Sequence, residues 1–413
     1  MTIASWNKYF FKHCSSFADL KGGANRFRRA LPLGFVFGVI TSCCLNAFAS
    51  ANTVVVVGHA ANFSDVGTSA INPYNKAVTN GLELAIADFK KQLEQRRLEI
   101  KIEKFDYGNK EIQSLDVARK IAASPAVAAI GFYESGQALL AAPILESAGL
   151  PLISPVSSAT RLFEIGPHIH HMSFSNEAMG LALTQFSHDT LKAKSALIVD
   201  AADCAYCADL ANSFEKNAKS QNITVERIHI LDDDSVFASV DQVVAHRKFD
   251  VYVIPNHELT SAKVIAHLLK LGISGPFVGG DGWGNAEGSA FFQIVSDPKF
   301  TGYCIGHWHP KFASALGKKF IEEWQKKFGE APSGDSAMAY ESMRFLILAI
   351  LKADHMTRQS IQDALASQKK YDGVTGTLRF KKNGASPQKA LVLLKSDIKE
   401  KKFEPVRTFE LRN

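Results

Sequence analysis

Apolar and polar positions along the chain recur with two alternating periods, and their succession implies an architecture before any chemistry is considered. Thr53 to Gly58, TVVVVG, is a continuous apolar run of strand length, as expected of a strand covered on both faces. Leu82, Ala85, Ile86 and Phe89 then recur at helical spacing within 79–91, which predicts a helix with one apolar face. The alternation continues with strand 98–105, helix 114–123, strand 126–132, helix 138–147, strand 150–154, helix 179–190 and strand 195–199. It resumes with helix 208–219, strand 224–230, helix 235–246, strand 251–255, helix 261–271 and strand 276–279. Strands separated by helices pair in parallel, because each crossover returns the chain to the same end of the sheet. The expected class is α/β, with two Rossmann-like lobes of parallel-rich sheet and a ligand cleft between them.

Within that pattern, Ala129 to Ser158 (AIGFYESGQALLAAPILESAGLPLISPVSS) reads as strand, serine turn, helix, strand and second serine turn. Ligands of open parallel sheets sit beyond the carboxyl ends of the strands. Ser135 and Ser158 are therefore expected together at one sheet edge, where free N–H groups and a helix N-terminus favour a carboxylate. A lone serine before a helix is an N-cap; two such turns side by side make an anion site. Asp281 follows a strand end in GGDGWG, 279–284, and Trp283, two residues on, is expected to wall the pocket. The glycine run is no dinucleotide fingerprint, because Asn285 takes the third glycine's place and an aspartate would repel pyrophosphate.

Export changes the charge picture. Arg26, Arg28 and Arg29 precede the apolar run LPLGFVFGVI, and Ala47-Phe48-Ala49 follows with Ser50 after it. This is the layout of a signal peptide over 1–49, cleaved after an A-x-A site. Ile40-Thr41-Ser42-Cys43 also reads as a lipobox, which would lipidate Cys43. Either route leads outside the cytoplasm. The stretch carries six basic residues against Asp19, so its removal lowers the formal net charge from +6 to +1. A nearly neutral protein lacks the basic footprint that nucleic acid requires.

Beyond residue 49 the cysteines are Cys204, Cys207 and Cys304. Cys204-Ala205-Tyr206-Cys207 lies between a predicted strand and helix, and is read as a structural disulfide in an oxidising compartment. A zinc site would need more ligands than one C-x-x-C. His168, His170 and His171, with His307 and His309, form two histidine groups; exposed strand positions without a role are the plainer reading. No G-x-S-x-G, P-loop or H-E-x-x-H occurs, so neither a cofactor nor a catalytic residue is expected.

The chain resembles the type I periplasmic-binding proteins, specifically the leucine/isoleucine/valine-binding family that feeds ABC importers. The resemblance rests on GLELAIAD (81–88), Ser135, Ser154-Pro155-Val156-Ser157-Ser158, GGDGW (279–283) and DGVTGTLRF (372–380). It implies three hinge crossings, near Ser173, Gly306 and Thr375. The N-terminal lobe would then hold 50–172 and 307–374, and the C-terminal lobe 173–306 and 375–413. Ser135 and Ser158, with nearby backbone amides including Val156, would bind a ligand α-carboxylate, and Asp281 its α-ammonium. Tyr74 and Tyr206 match positions over the ligand, and His257 or Asn256 stands where the family often has tyrosine. Glu134, beside the carboxylate serine, is a departure, as is the long loop from Ala60 to Lys76.

The resemblance implies an amino acid or similar amphoteric ligand and an ABC permease as partner. A sensor of the same fold, reporting to a separate signalling partner, and an exported thiol oxidoreductase using Cys204 and Cys207 are the rival readings.

Overall fold

The computed structural model describes residues 52–63, 73–108, 110–231, 237–284, 290–380 and 387–410. The expected export segment, with Cys43, lies outside the described residues. From Asn52 the chain runs through β1 (Thr53–Ala61), α1 (Pro73–Asp88), α2 (Lys90–Gln95), β2 (Leu98–Asp106), α3 (Gln113–Ala123), β3 (Ala128–Gly131), α4 (Ser135–Ser147), β4 (Leu152–Ser154) and β5 (Ile169–His171). These strands form a wholly parallel sheet in the order β2-β1-β3-β4-β5.

The second stretch holds α5 (Asn176–Asp189), β6 (Ser195–Ala201), α6 (Ala205–Ser220), β7 (Thr224–Ile230), α7 (Ala238–His246), β8 (Val251–Val253), α8 (Glu258–Lys270), β9 (Phe277–Gly279), α9 (Phe291–Ile294) and β10 (Gly302–Gly306). The chain returns to the first lobe with α10 (Ala315–Phe328), α11 (Gly334–Lys352), α12 (Arg358–Ala366) and a small sheet of β11 (Lys370–Gly373), β12 (Gly376–Phe380) and β13 (Pro387–Gln388). It ends as β14 (Leu391–Asp397) and β15 (Lys402–Phe409), antiparallel additions to the second sheet. That sheet reads β15-β14-β10-β9-β8-β6-β7. Among the described residues, no helix is long and apolar enough to cross a membrane.

Strand pleating divides the first lobe's core between the two faces of its sheet. Ala128 and Ile130 pack with α1 and α11, while Ala129 between them packs with Val117 and Ile121 of α3 and Ala138 of α4; this is the period-two alternation of side chains. Helices α1 and α11 approach closely at Gly81, where a Cβ would sit 2.6 Å from the Ser336 carbonyl oxygen. A glycine there in GLELAIAD is thus a packing requirement.

The two lobes' apolar cores separate between Met172 and Phe174 and between Ile305 and Trp308. Near the third expected crossing, residues on both sides of Thr375 pack with the first core. Tyr371 and Phe380 still pack on Phe345 of α11, at ring distances of 5.2 and 5.3 Å, and the second core resumes at Leu391. The β11–β12 hairpin has an apolar face that must be buried on α11 before the chain can leave. Lys389 ties two of these crossings together: its ammonium donates to the Met172 carbonyl at 3.2 Å and to the Thr375 hydroxyl at 2.7 Å.

Of the histidines expected on exposed strand positions, His170, His171 and His307 are buried, while His168 and His309 are partly covered. His170 and His171 are wholly covered, because β5 belongs to a sheet with packed faces. His170 pairs with Gln362 at 2.8 Å, and His171 stacks on Phe163 at 4.0 Å.

Candidate functional site

Ser135 opens α4 just beyond the carboxyl end of β3, and Ser158 follows β4, its neighbour in the sheet. The two turns meet as expected: the Ser135 hydroxyl accepts the backbone N–H of Ser158 at 3.3 Å and of Ala159 at 3.2 Å. Both serines are buried. The Ser157 hydroxyl donates to the Phe132 carbonyl, which fixes the turn against β3. Val156 is half-buried against the first core. Tyr74 lies in the first turn of α1 rather than in a loop before a later helix, and its side chain is outside the described residues.

On the opposite lobe, Asp281 starts a short 3₁₀ turn after β9. Both of its carboxylate oxygens are engaged. The Tyr206 hydroxyl donates to Oδ1 at 2.8 Å and accepts the Gly282 N–H at 3.1 Å. His307 Nε2 lies 2.7 Å from Oδ2, and its ring stacks on Phe174 at 4.4 Å. Burial acts to raise the Asp281 pKa, but the hydrogen bond and charge of His307, with the Tyr206 hydroxyl, carry it below the usual carboxylate range. Burial and the adjacent Asp281 push the Tyr206 phenol well up, so it remains a neutral donor. His257 stacks on Tyr206 at 5.0 Å, and Cys204 and Cys207, on either side of Ala205 and Tyr206, form a disulfide.

Trp283 belongs to the second lobe's apolar core. It is fully buried, stacks on Phe291 at 5.3 Å and donates its indole N–H to the Ile254 carbonyl at 2.8 Å. A Cβ on Gly279 would lie 2.1 Å from its ring. Phe300 and Phe403 also pack against it, and an indole surrounded by aromatic side chains at the base of a strand is a core element. Its proximity to Asp281 in sequence carried no information about which way it turns.

The two lobes touch beside the serine turns. Ser158 donates its hydroxyl to Asn176 Oδ1 at 2.8 Å. Asp209 Oδ2 accepts the Thr160 N–H at 2.8 Å, the Thr160 hydroxyl at 3.1 Å and the Asn176 amide at 2.9 Å. Asn176 also donates to the Tyr206 carbonyl at 3.3 Å, so one side chain connects the first-lobe turn to the segment that holds Asp281.

Sequence reasoning missed His307, Asn176, Asp209 and Asp335. His307 was visible only as half of a histidine pair. Asp335 stands in the first turn of α11 after the Ser333 N-cap, a position that reads as routine capping. In the structure burial pushes its carboxyl up to about 6, with His307 opposing the rise and Asp281 and Glu258 adding to it. His59 is equally unannounced: burial lowers it to about 3, and its Nε2 meets the Tyr133 hydroxyl at 3.1 Å. The serine turns and Asp281 are thus joined through Asn176 and Tyr206.

The model of the periplasmic binding protein family matches residues 55–402. No curated protein matches the chain. A leucine-binding protein (LivK) of Thermotoga maritima superposes with a TM-score of 0.78 at 21% identity, covering 86% of this chain and 99% of that one. A branched-chain amino acid transporter substrate-binding protein (LivJ) of Streptococcus pneumoniae, solved with isoleucine, gives 0.76 at 23% identity, covering 87% and 100%. A solute-binding protein of an ABC transporter from R. palustris, solved with benzoate, gives 0.73 at 20% identity, covering 86% and 96%. With two parallel-rich lobes and a family match that spans nearly all of both, the chain belongs to the periplasmic binding protein family and has its type I fold.

Proposed function

We propose that this protein captures a small amino-acid-like ligand between its lobes, outside the cytoplasm, and delivers it to an ABC permease. The observation that supports this reading is that Asn176 links the Ser158 turn to Tyr206, whose hydroxyl, with His307, holds Asp281 ionised. A ligand carboxylate would replace the Ser135 hydroxyl as acceptor for the Ser158 and Ala159 amides, with Val156 alongside. A ligand ammonium would approach Asp281 and Tyr206. Charge-assisted hydrogen bonds of both kinds strengthen in a cleft that excludes water. Tyr74 and His257 would cover the side chain; Trp283 has no place in this contact set. Closure then follows from ligand bridging the lobes and selecting the closed form, which the permease recognises.

Two fold neighbours, a leucine-binding protein and a binding protein solved with isoleucine, support an α-amino acid. A second reading has its own observation. His307 already engages one carboxylate oxygen of Asp281 at 2.7 Å, and a neighbour of the same fold holds benzoate, so an aromatic acid without an amine is the competing ligand class. A thermal-shift series with L-leucine, L-isoleucine and benzoate, repeated on Asp281→Asn, separates them. A ligand at one hundred times its Kd adds about 2.7 kcal/mol to the folded state. Stabilisation by an amino acid that Asp281→Asn abolishes supports the first reading; stabilisation by benzoate that survives the substitution replaces it with the second.

A further inference from the structure

Cys204, Cys207 and His257 bring two sulfurs and an imidazole nitrogen within 4.8 Å of one another. The sequence offers only the C-x-x-C; His257, at the start of α8, is fifty positions away and joins the cluster because β8 lies beside β6 in the sheet. We propose that, when the disulfide is reduced, these three side chains form a site for a thiophilic divalent cation, zinc being the representative ion.

Three features of the cluster suit that chemistry. Zinc takes thiolate sulfur and imidazole nitrogen in tetrahedral sites, and two cysteines and a histidine leave the fourth position to water. The Cys207 backbone N–H already donates to Cys204 Sγ at 3.2 Å, and Cys204 is the N-cap of α6. A sulfur at a helix N-terminus with an N–H aimed at it is favoured as a thiolate, which is the metal-binding form. His257 makes no hydrogen bond to another described residue; its ring rests on Tyr206, so its nitrogens are not committed to the protein.

The site is gated by oxidation state. With the sulfurs joined as they are here, neither is a thiolate. A dithiol reductant opens the bond by thiol–disulfide exchange: two electrons and two protons pass to Cys204 and Cys207, and the donor closes its own disulfide. Zinc then displaces both thiol protons to solvent as the two Zn–S bonds form. Because Tyr206 lies between the two cysteines and donates to Asp281, the loaded loop is the one that holds the carboxylate proposed to meet a ligand ammonium.

The test uses zinc alone, so it does not depend on the identity of any transported ligand. The purified protein is reduced with a phosphine under anaerobic conditions, freed of reductant, and titrated with zinc against a chromogenic chelator. One equivalent should be retained by the reduced form and none by the disulfide form. Cobalt in place of zinc should give a thiolate-to-metal charge-transfer band. His257→Ala, which leaves both cysteines in place, should weaken retention at least tenfold, and alkylating the reduced thiols should abolish it without a substitution that endangers folding. Failure of the reduced protein to retain zinc, equal retention by the disulfide form, or an unchanged affinity in His257→Ala would each overturn the proposal.

Discussion

His307 Nε2 sits 2.7 Å from Asp281 Oδ2, with the two side chains only 5% and 10% exposed. The pair is nearly buried, and the charge that Asp281 presents depends on its partner. Removing one member of such a pair leaves the other charge uncompensated. His307→Ala is expected to lower stability by roughly 2–4 kcal/mol, measured by urea unfolding, and to raise the Asp281 pKa. The lowered Asp281 pKa means that its contribution to stability is present above the ordinary carboxylate range and is lost only as pH falls through the folded value. The same unfolding series run downward from pH 5 should therefore show the loss setting in at higher pH in the variant.

Asp335 carries the opposite sign. Its folded pKa, up to about 6, exceeds the unfolded value of roughly 3.9, so the folded state binds more protons between them and stability falls as pH rises through that window. Asp335→Asn should raise the melting temperature of the ligand-free protein above pH 6, by the equivalent of up to about 3 kcal/mol, and have no effect below pH 4. A difference that is independent of pH would show that the carboxylate is not held away from solvent.

Lys389 and Glu341 are both buried at the hinge, and burial outweighs their attraction in each: it lowers Lys389 to about 8 and raises Glu341. Since the folded lysine loses its proton first, its penalty is relieved as pH rises from 8 towards its ordinary value, and stability should increase over that interval. Lys389→Met alone strands Glu341 and should cost about 3–5 kcal/mol, whereas Lys389→Met with Glu341→Gln should recover most of it. Chemical denaturation of the double-mutant cycle reads the coupling.

Tyr206→Phe removes the hydroxyl that serves Asp281 and the Gly282 N–H together. The expected loss is about 1–3 kcal/mol of stability. Amino-acid stabilisation in the thermal-shift assay should shrink with it, while cystine formation between Cys204 and Cys207, read by thiol counting, should be unaffected.

Trp283→Ala tests a core assignment against a cleft assignment. The buried indole predicts a stability loss of about 3–5 kcal/mol from cavity formation, readable as a lower urea midpoint. A cleft residue would instead leave the midpoint nearly unchanged and alter ligand affinity.

The order of strands and helices, the serine turns at Ser135 and Ser158 and the aspartate at 281 were legible in the sequence, because each follows from local rules. Apolar runs and helical spacing specify elements, and parallel connection places the turns at the carboxyl ends of the strands. Cys204 and Cys207 pair within one turn, which spacing alone allows.

Orientation and long-range company were not local. His307 meets Asp281 because β10 lies beside β9, and His257 meets the cysteines because β8 lies beside β6. Trp283 turned into the core and Asp335 came within reach of His307 through packing between elements far apart in the chain. Periodicity constrains each residue's own face, whereas a pKa, an ion pair or a ligand set depends on which other segment arrives there, and only the folded chain decides that.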